Sequence, residues 1–237
     1  MNGRKETQNQ MIVPIQFNFS PLTEEEKIEA RLNVVRLINT TIMPLSLSAG
    51  PMIAGGTARY LFETQEAGFK KVINSDIDLY FASESQFSDF KERLEAYRHQ
   101  SILTSMTSKE HLQISRWHTT DNAISVTCSY INHYNVFSGT FVLQLIKKGF
   151  YTTPEDIFQT FDFTVACVAT DGKEFRFSSE YLEDWAERRL ELRRPPDPKS
   201  ISRLMKYMAY GFTPSPKMVK LLSDSSIKFE KGAADSG

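Results

Sequence analysis

Asp76 and Asp78 stand two residues apart in the run Ser75-Asp76-Ile77-Asp78-Leu79-Tyr80-Phe81. In extended backbone such residues project from one face, so both carboxylates converge while Ile77 and Leu79 turn into the layer behind. Like charges so placed repel unless a cation lies between them, and the pattern suits a divalent metal. Upstream, the apolar run Pro51-Met52-Ile53-Ala54 ends in Gly55-Gly56. Beyond it, Thr57 to Ala67 carries apolar residues at helical spacing (Ala58, Leu61, Phe62). A strand, a glycine turn and a helix start leave backbone N–H groups free for an anion, where glycine permits close approach. Gly55, Gly56 and Thr57 are therefore expected to cradle phosphate. Arg59, one turn into the helix, is read equally as an assisting cation or as a surface residue.

The surrounding elements must position these groups. Ser20 to Asn39 is expected to be helical: Thr23 precedes Glu26 by three residues, as in a capping box, and Ile28, Leu32, Val35 and Ile38 form an apolar face. Glu84 to Gln100 repeats the amphipathic pattern. Strand patterns follow over His111 to Ser115, Ala123 to Tyr130 and Gly139 to Lys147. Thr153-Pro154-Glu155-Asp156 opens a short helix. Phe161 to Ala169 reads as a further strand, and Asp171-Gly172-Lys173 as a hairpin-type turn. Glu180 to Arg194 and Ser200 to Gly211 read as helices separated by the proline-rich stretch at Pro195-Pro196.

The chain has 237 residues, 41% of them hydrophobic, and a formal net charge of -1. It can fill a core, and any polyanion must be met by a local patch. The denser basic stretch Arg188-Arg189, Arg193-Arg194, Lys199, Arg203 and Lys206 is such a patch, or else a set of ion pairs with Glu183, Asp184, Glu187 and Glu191; the two readings weigh equally. The two cysteines, Cys128 and Cys167, lie in apolar runs and read as buried thiols. There is no apolar stretch of membrane-spanning length and no signal-peptide pattern, so a cytoplasmic protein without membrane contact is expected.

In this order the residues resemble the nucleotidyltransferase-fold superfamily, above all the head and neck of bacterial-type CCA-adding and poly(A) polymerases. The family pattern Gly-Gly-x-x-Arg-Asp followed by Asp-x-Asp resembles Gly55, Gly56, Arg59, Asp76 and Asp78, with Tyr60 in place of the first motif's Asp. Asp162-Phe163-Thr164 resembles a second motif, and Asp197-Pro198 through Arg203, Lys206, Gly211 and Phe212 a third.

The resemblance implies an α+β nucleotidyltransferase fold, with a mixed, mostly antiparallel sheet flanked by helices and a small helical neck. It divides the chain into an arm (1–22), a head (23–178), a C-terminal helical segment (179–222) and a disordered tail (223–237). It further implies an enzyme that moves a nucleoside monophosphate from an NTP, ATP among the candidates, to a hydroxyl on a tRNA-like RNA, a protein or a small molecule. Two Mg²⁺ ions on Asp76 and Asp78 would assist this reaction as pyrophosphate leaves. Asp162 would complete the site. Gln144 falls where a third acid is expected, and Arg203 and Lys206 would contact nucleotide or acceptor. The alternative is a catalytically weakened module of this fold that binds nucleotide, nucleic acid or a protein partner; a third reading is a toxin-like or defence-related transferase.

Overall fold

Thr23 opens the first helix of this computed structural model, which describes residues 23–66, 76–104, 110–132, 137–197, 199–221 and 223. The expected N-terminal arm and all but one residue of the tail lie outside these. The Thr23 side chain accepts from the backbone N–H of Glu26, and the Glu26 carboxylate accepts from the N–H of Thr23. This reciprocal cap starts α1 (Glu24–Leu37), which runs into a π-helical turn, Ile38–Ile42. The remaining head elements are β1 (Met52–Ala54), α2 (Gly56–Glu66), β2 (Ile77–Tyr80), α3 (Glu84–Thr104), β3 (Glu110–Thr119), β4 (Ala123–Asn132), β5 (Phe137–Ile146), α4 (Pro154–Phe158), β6 (Val168–Thr170) and β7 (Phe175–Phe177). They are followed by α5 (Tyr181–Ala186), β8 (Arg189–Leu190), α6 (Ser200–Ala209) and β9 (Thr213–Pro214).

Seven strands form one sheet in the order β3-β4-β5-β2-β1-β6-β7. Only the β2–β5 pair is parallel; the others are antiparallel. The architecture is thus α+β, with a mostly antiparallel mixed sheet flanked by helices. Alternation along β2 sends Ile77 and Leu79 into the main core with Val34, Phe90, Val126 and Leu143. Tyr80 goes to the other side, into a second cluster with Met52, Phe158 and Cys167. Each such fully buried apolar side chain contributes about 1.5–3 kcal/mol, so β2 is held from both faces and its register cannot slip. The polar positions between them are thereby fixed in place.

Three expected elements differ. β3 extends through Arg116, Trp117 and His118 to Thr119, because these polar residues pair along β4 past a bulge at Ile114/Arg116. The strand expected over Phe161 to Ala169 is a bridge at Phe163 to Leu192 and a 3-10 turn at Thr164–Ala166; only Val168–Thr170 joins the sheet. The long helix expected from Glu180 ends at Ala186. Arg188 adopts φ 53°, and Leu190 swings in to be buried beside β9, apolar burial outweighing continued helix in a segment with few apolar residues. Both predicted glycine turns hold: Gly172 links β6 to β7 at φ 89°, and Gly211 follows α6 at φ 87°. No helix among the described residues is long and apolar enough to cross a membrane.

Candidate functional site

Gly55 closes β1 with φ 78°, a conformation that favours glycine, and its N–H donates to the Val168 carbonyl at 2.9 Å. Its carbonyl accepts from the Arg59 N–H at 2.9 Å as α2 begins at Gly56. The Thr57 side chain then ties the helix start to the strand beside it: its hydroxyl donates to the Asp76 carbonyl at 2.7 Å and accepts from Arg31 Nη1 at 3.4 Å. Thr57 is fully buried. Its hydroxyl hydrogen and a lone pair are both engaged, so the residue expected to hold phosphate instead fastens α1, α2 and the start of β2 together.

Asp76 and Asp78 are both partly buried. Gln144 lies beside Asp78 in the parallel register of β2 and β5, and its amide nitrogen donates to the Asp76 carboxylate. Among the described residues no hydrogen bond or ion pair reaches the Asp78 carboxylate. Burial, and secondarily the charge of Asp76, push its carboxyl up to about 7, while Lys206 on α6 acts in the opposite sense. The start of β2 therefore combines a carboxylate pair and an amide, with a lysine of α6 within electrostatic reach. Divalent magnesium asks for oxygen donors in octahedral geometry, whereas Gln144 presents N–H to Asp76. No group of three His, Cys, Asp or Glu side chains that could share an ion occurs among the described residues. This donor set does not fit the expected two-ion magnesium centre.

Arg59 is directed away from solvent. It is 1% exposed, and its guanidinium carbon sits 5.1 Å from the ring centre of Tyr207, 5.0 Å from that of Tyr210 and 5.3 Å from that of Phe212. Glu63 lies 4.0 Å away. Such cation–π contacts, strengthened by desolvation, fasten α6 and β9 to α2. Asp162 is likewise occupied: Arg194 Nε donates to it at 2.6 Å, Ser200 Oγ at 3.3 Å, and Arg203 forms an ion pair with it. It serves as the anion that gathers the C-terminal segment, and Arg203 is spent on that contact.

Ion pairing also claims most of the basic stretch. Arg189 pairs with Glu183, Asp184 and Glu187, Arg193 with Glu180, and Arg188 with the buried Glu63. Burial pushes the thiols of Cys128 and Cys167 up to about 12, so neither is a reactive thiolate at neutral pH.

The site also contains residues that the sequence reading passed over. Arg31, 6% exposed, stacks over Tyr60 and Phe141 while reaching Thr57. Its signal was a charge on the apolar face of α1, between Ile28 and Val35. Glu63 accepts from Trp185 Nε1 at 2.9 Å and Arg188 Nη1 at 3.2 Å, joining α2 to α5 and to the residues just after it. The buried Thr164 and Asp184, with the partly exposed Arg189, form a third link, with 2.5 and 2.7 Å contacts.

Comparison with known proteins gives this framework an affiliation. A family model for Gabija anti-defense 2 family proteins matches residues 24–188. Gabija anti-defense 2 of Bacillus phage SPbetaL7 is 27% identical over 176 residues, covering 72% of this chain and 36% of that protein. The chain thus spans about a third of its relative's length. These matches overturn the resemblance to CCA-adding and poly(A) polymerases, and with it the expected nucleotidyl transfer, the enzyme assignment and the roles for ATP, magnesium and RNA drawn from it. They agree better with the alternative, a module that binds a protein partner. From α1 through the whole sheet to Arg188, the chain belongs to the Gabija anti-defense 2 family.

Proposed function

We propose that this chain counters a Gabija defence by binding one of the defence's protein components. The observation that carries the proposal is the family match over residues 24–188, which takes in all seven strands of the main sheet. In this reading the head (23–178) and the C-terminal segment (179–222) act as one binding unit, held together by Arg59 and Asp162. The scaffold is of nucleotidyltransferase type, turned to recognition. Supporting that finer reading are the glycine turn between β1 and α2, the carboxylate pair at β2 and Gln144 beside it.

Asp76 and Asp78 are the recognition groups at the start of β2. The Asp78 carboxylate is ionised above about pH 7, accepts no hydrogen bond and forms no ion pair among the described residues, and offers its charge to a cationic side chain of the bound protein. The test is expression of the chain in bacteria that carry a Gabija system, followed by phage plating and by binding to the purified Gabija proteins. Relief of restriction together with a measurable complex is the expected result. Soluble, folded protein that forms no complex and leaves restriction intact overturns the proposal.

A further inference from the structure

The main sheet ends at β3, which is ten residues long, whereas β7 at the opposite edge has three. On the outer side of β3 the Leu112 N–H donates to the Tyr97 hydroxyl at 3.0 Å. Farther along, the Thr120 N–H donates to the Ala123 carbonyl. Alternation along the antiparallel pair then points the backbone groups of Trp117 and Thr119 away from β4. Among the described residues nothing meets them. The indole N–H of Trp117 is buried and likewise finds no acceptor among these residues. Natural sheets rarely leave a long edge bare, or a buried donor unmet.

Helix α1 starts above this edge. Just past its C-terminal end, Asn39 donates to the Asp171 carbonyl at the β6–β7 turn. Arg31, earlier in the helix, stacks over Phe141 of β5, whose row continues through Cys128 of β4 to Ile114 of β3. α1 therefore crosses the sheet from the β3 side to the β7 side, lying against both β5 and β3. From Arg31 back to Glu24 the helix rises about 10 Å, roughly two strand spacings, which sets its first turn over β3. Ile28 of α1, Tyr97 of α3 and Trp117 of β3 pack on the main core and stay partly exposed. Ahead of Thr23, the residues Val13, Ile15, Phe17 and Phe19 alternate with Pro14, Gln16 and Asn18, the period-two pattern of a strand with one buried face.

We infer that residues 13–19 add to the outer edge of β3 as an eighth strand of the main sheet, with Val13, Ile15, Phe17 and Phe19 closing over Trp117 and Tyr97. Only Ser20, Pro21 and Leu22 separate this segment from the Thr23 cap. Three residues reach about 10 Å, enough to step from the helix layer down to the sheet. Gln16 and Asn18 then face solvent, the backbone groups of Trp117 and Thr119 gain partners, and a carbonyl of the added strand comes within reach of the Trp117 indole. The new edge carries Pro14, which lacks the N–H that invites further pairing. A second copy of the chain, or a strand of a bound protein, would meet the same backbone groups. Tethering favours the chain's own segment, since a short linker holds it at an effective concentration in the millimolar range. Residues 13–19 lie outside the family match, which begins at residue 24, and their pairing with β3 stands independently of the binding function proposed above.

Amide hydrogen exchange of the full chain, resolved by NMR, compares wild type with Phe17→Asp/Phe19→Asp at low and high protein concentration, and again with purified Gabija proteins added. The expected result is protection of the Trp117 and Thr119 amides in dilute, monomeric wild type. In the variant these amides should exchange about tenfold faster or more, while those of β4 and β5 keep their protection. Protection that appears only at high concentration, together with a dimer by sedimentation, gives the edge to a second copy and overturns the pairing. Protection that appears only on adding Gabija proteins gives it to a strand of the partner and overturns it equally. Rapid exchange of both amides in wild type under every condition, or equal protection in wild type and variant, also refutes it. If the variant melts early, Phe17→Ala/Phe19→Ala replaces it in the same comparison.

Discussion

Replacing Asp78 with Asn should stabilise the protein at alkaline pH and leave it unchanged in acid. In the folded chain the Asp78 carboxyl is pushed from its ordinary 3.8 to about 7, chiefly by burial and then by Asp76. Because the folded state holds this proton more tightly than the unfolded chain, stability falls as pH rises from 3.8 to about 7 and then levels off. At about 1.4 kcal/mol per pH unit, the full interval corresponds to roughly 4 kcal/mol. Asp78 is only partly buried, and solvent screening brings the expected gain for Asp78→Asn to about 2 kcal/mol at pH 8.

Urea unfolding of both proteins at several pH values from 4 to 8 measures this directly, since other carboxylates titrate alike in each and cancel in the difference. A variant equal to or less stable than wild type at pH 8, or a gain that does not shrink toward pH 4, refutes the argument that Asp78 is a partly buried charge held at a cost. Keeping such a charge is reasonable where it serves recognition, so Asp76→Asn/Asp78→Asn should also weaken Gabija binding even as it raises stability.

Arg59→Met removes the cation enclosed by Tyr207, Tyr210 and Phe212, and should cost about 2 kcal/mol; limited proteolysis should then cut the C-terminal segment sooner, and unaltered digestion would contradict the clamp. Asp162→Asn leaves Arg194 and Arg203 without their shared anion and should destabilise by roughly 3 kcal/mol, read as a lower urea midpoint; a change under about 0.5 kcal/mol would mean the cluster contributes little. Gly55→Ala forces a side chain into φ 78°, with Phe161 the nearest ring at 3.5 Å, and should cost about 1–2 kcal/mol; a neutral melting temperature would show that the turn relaxes freely.

Much of the fold was legible because local chemistry and tertiary packing agree. The Thr23–Glu26 cap, the Thr153-Pro154 helix start, the turns at Gly172 and Gly211 and the alternation of β2 each need only a few neighbouring residues to be recognised. Alternation also placed Asp78 and Gln144 each between buried apolar neighbours, but that their strands lie side by side came from the resemblance and is decided by the parallel pairing of β2 with β5.

The affiliation was not. Motif order alone led to the polymerase resemblance, yet the same residue types serve other ends here. Thr57 and Arg59 look identical in sequence whether they meet phosphate, a backbone carbonyl or three aromatic rings. The long helix expected after Glu180 failed for a related reason: its end is decided by Leu190 reaching a partner strand more than twenty residues later in the chain.

What this sequence determined by itself is whatever depends on contacts a few residues apart: caps, turns, the face of each strand and the convergence of Asp76 with Asp78. What only the tertiary structure decided is which charges are free. Asp162, Arg59, Arg188 and Arg203 acquire their partners across 32, 125 or 41 residues of chain or through rings brought by α6. Pairing energy depends on distance and burial in space, which residue spacing does not record.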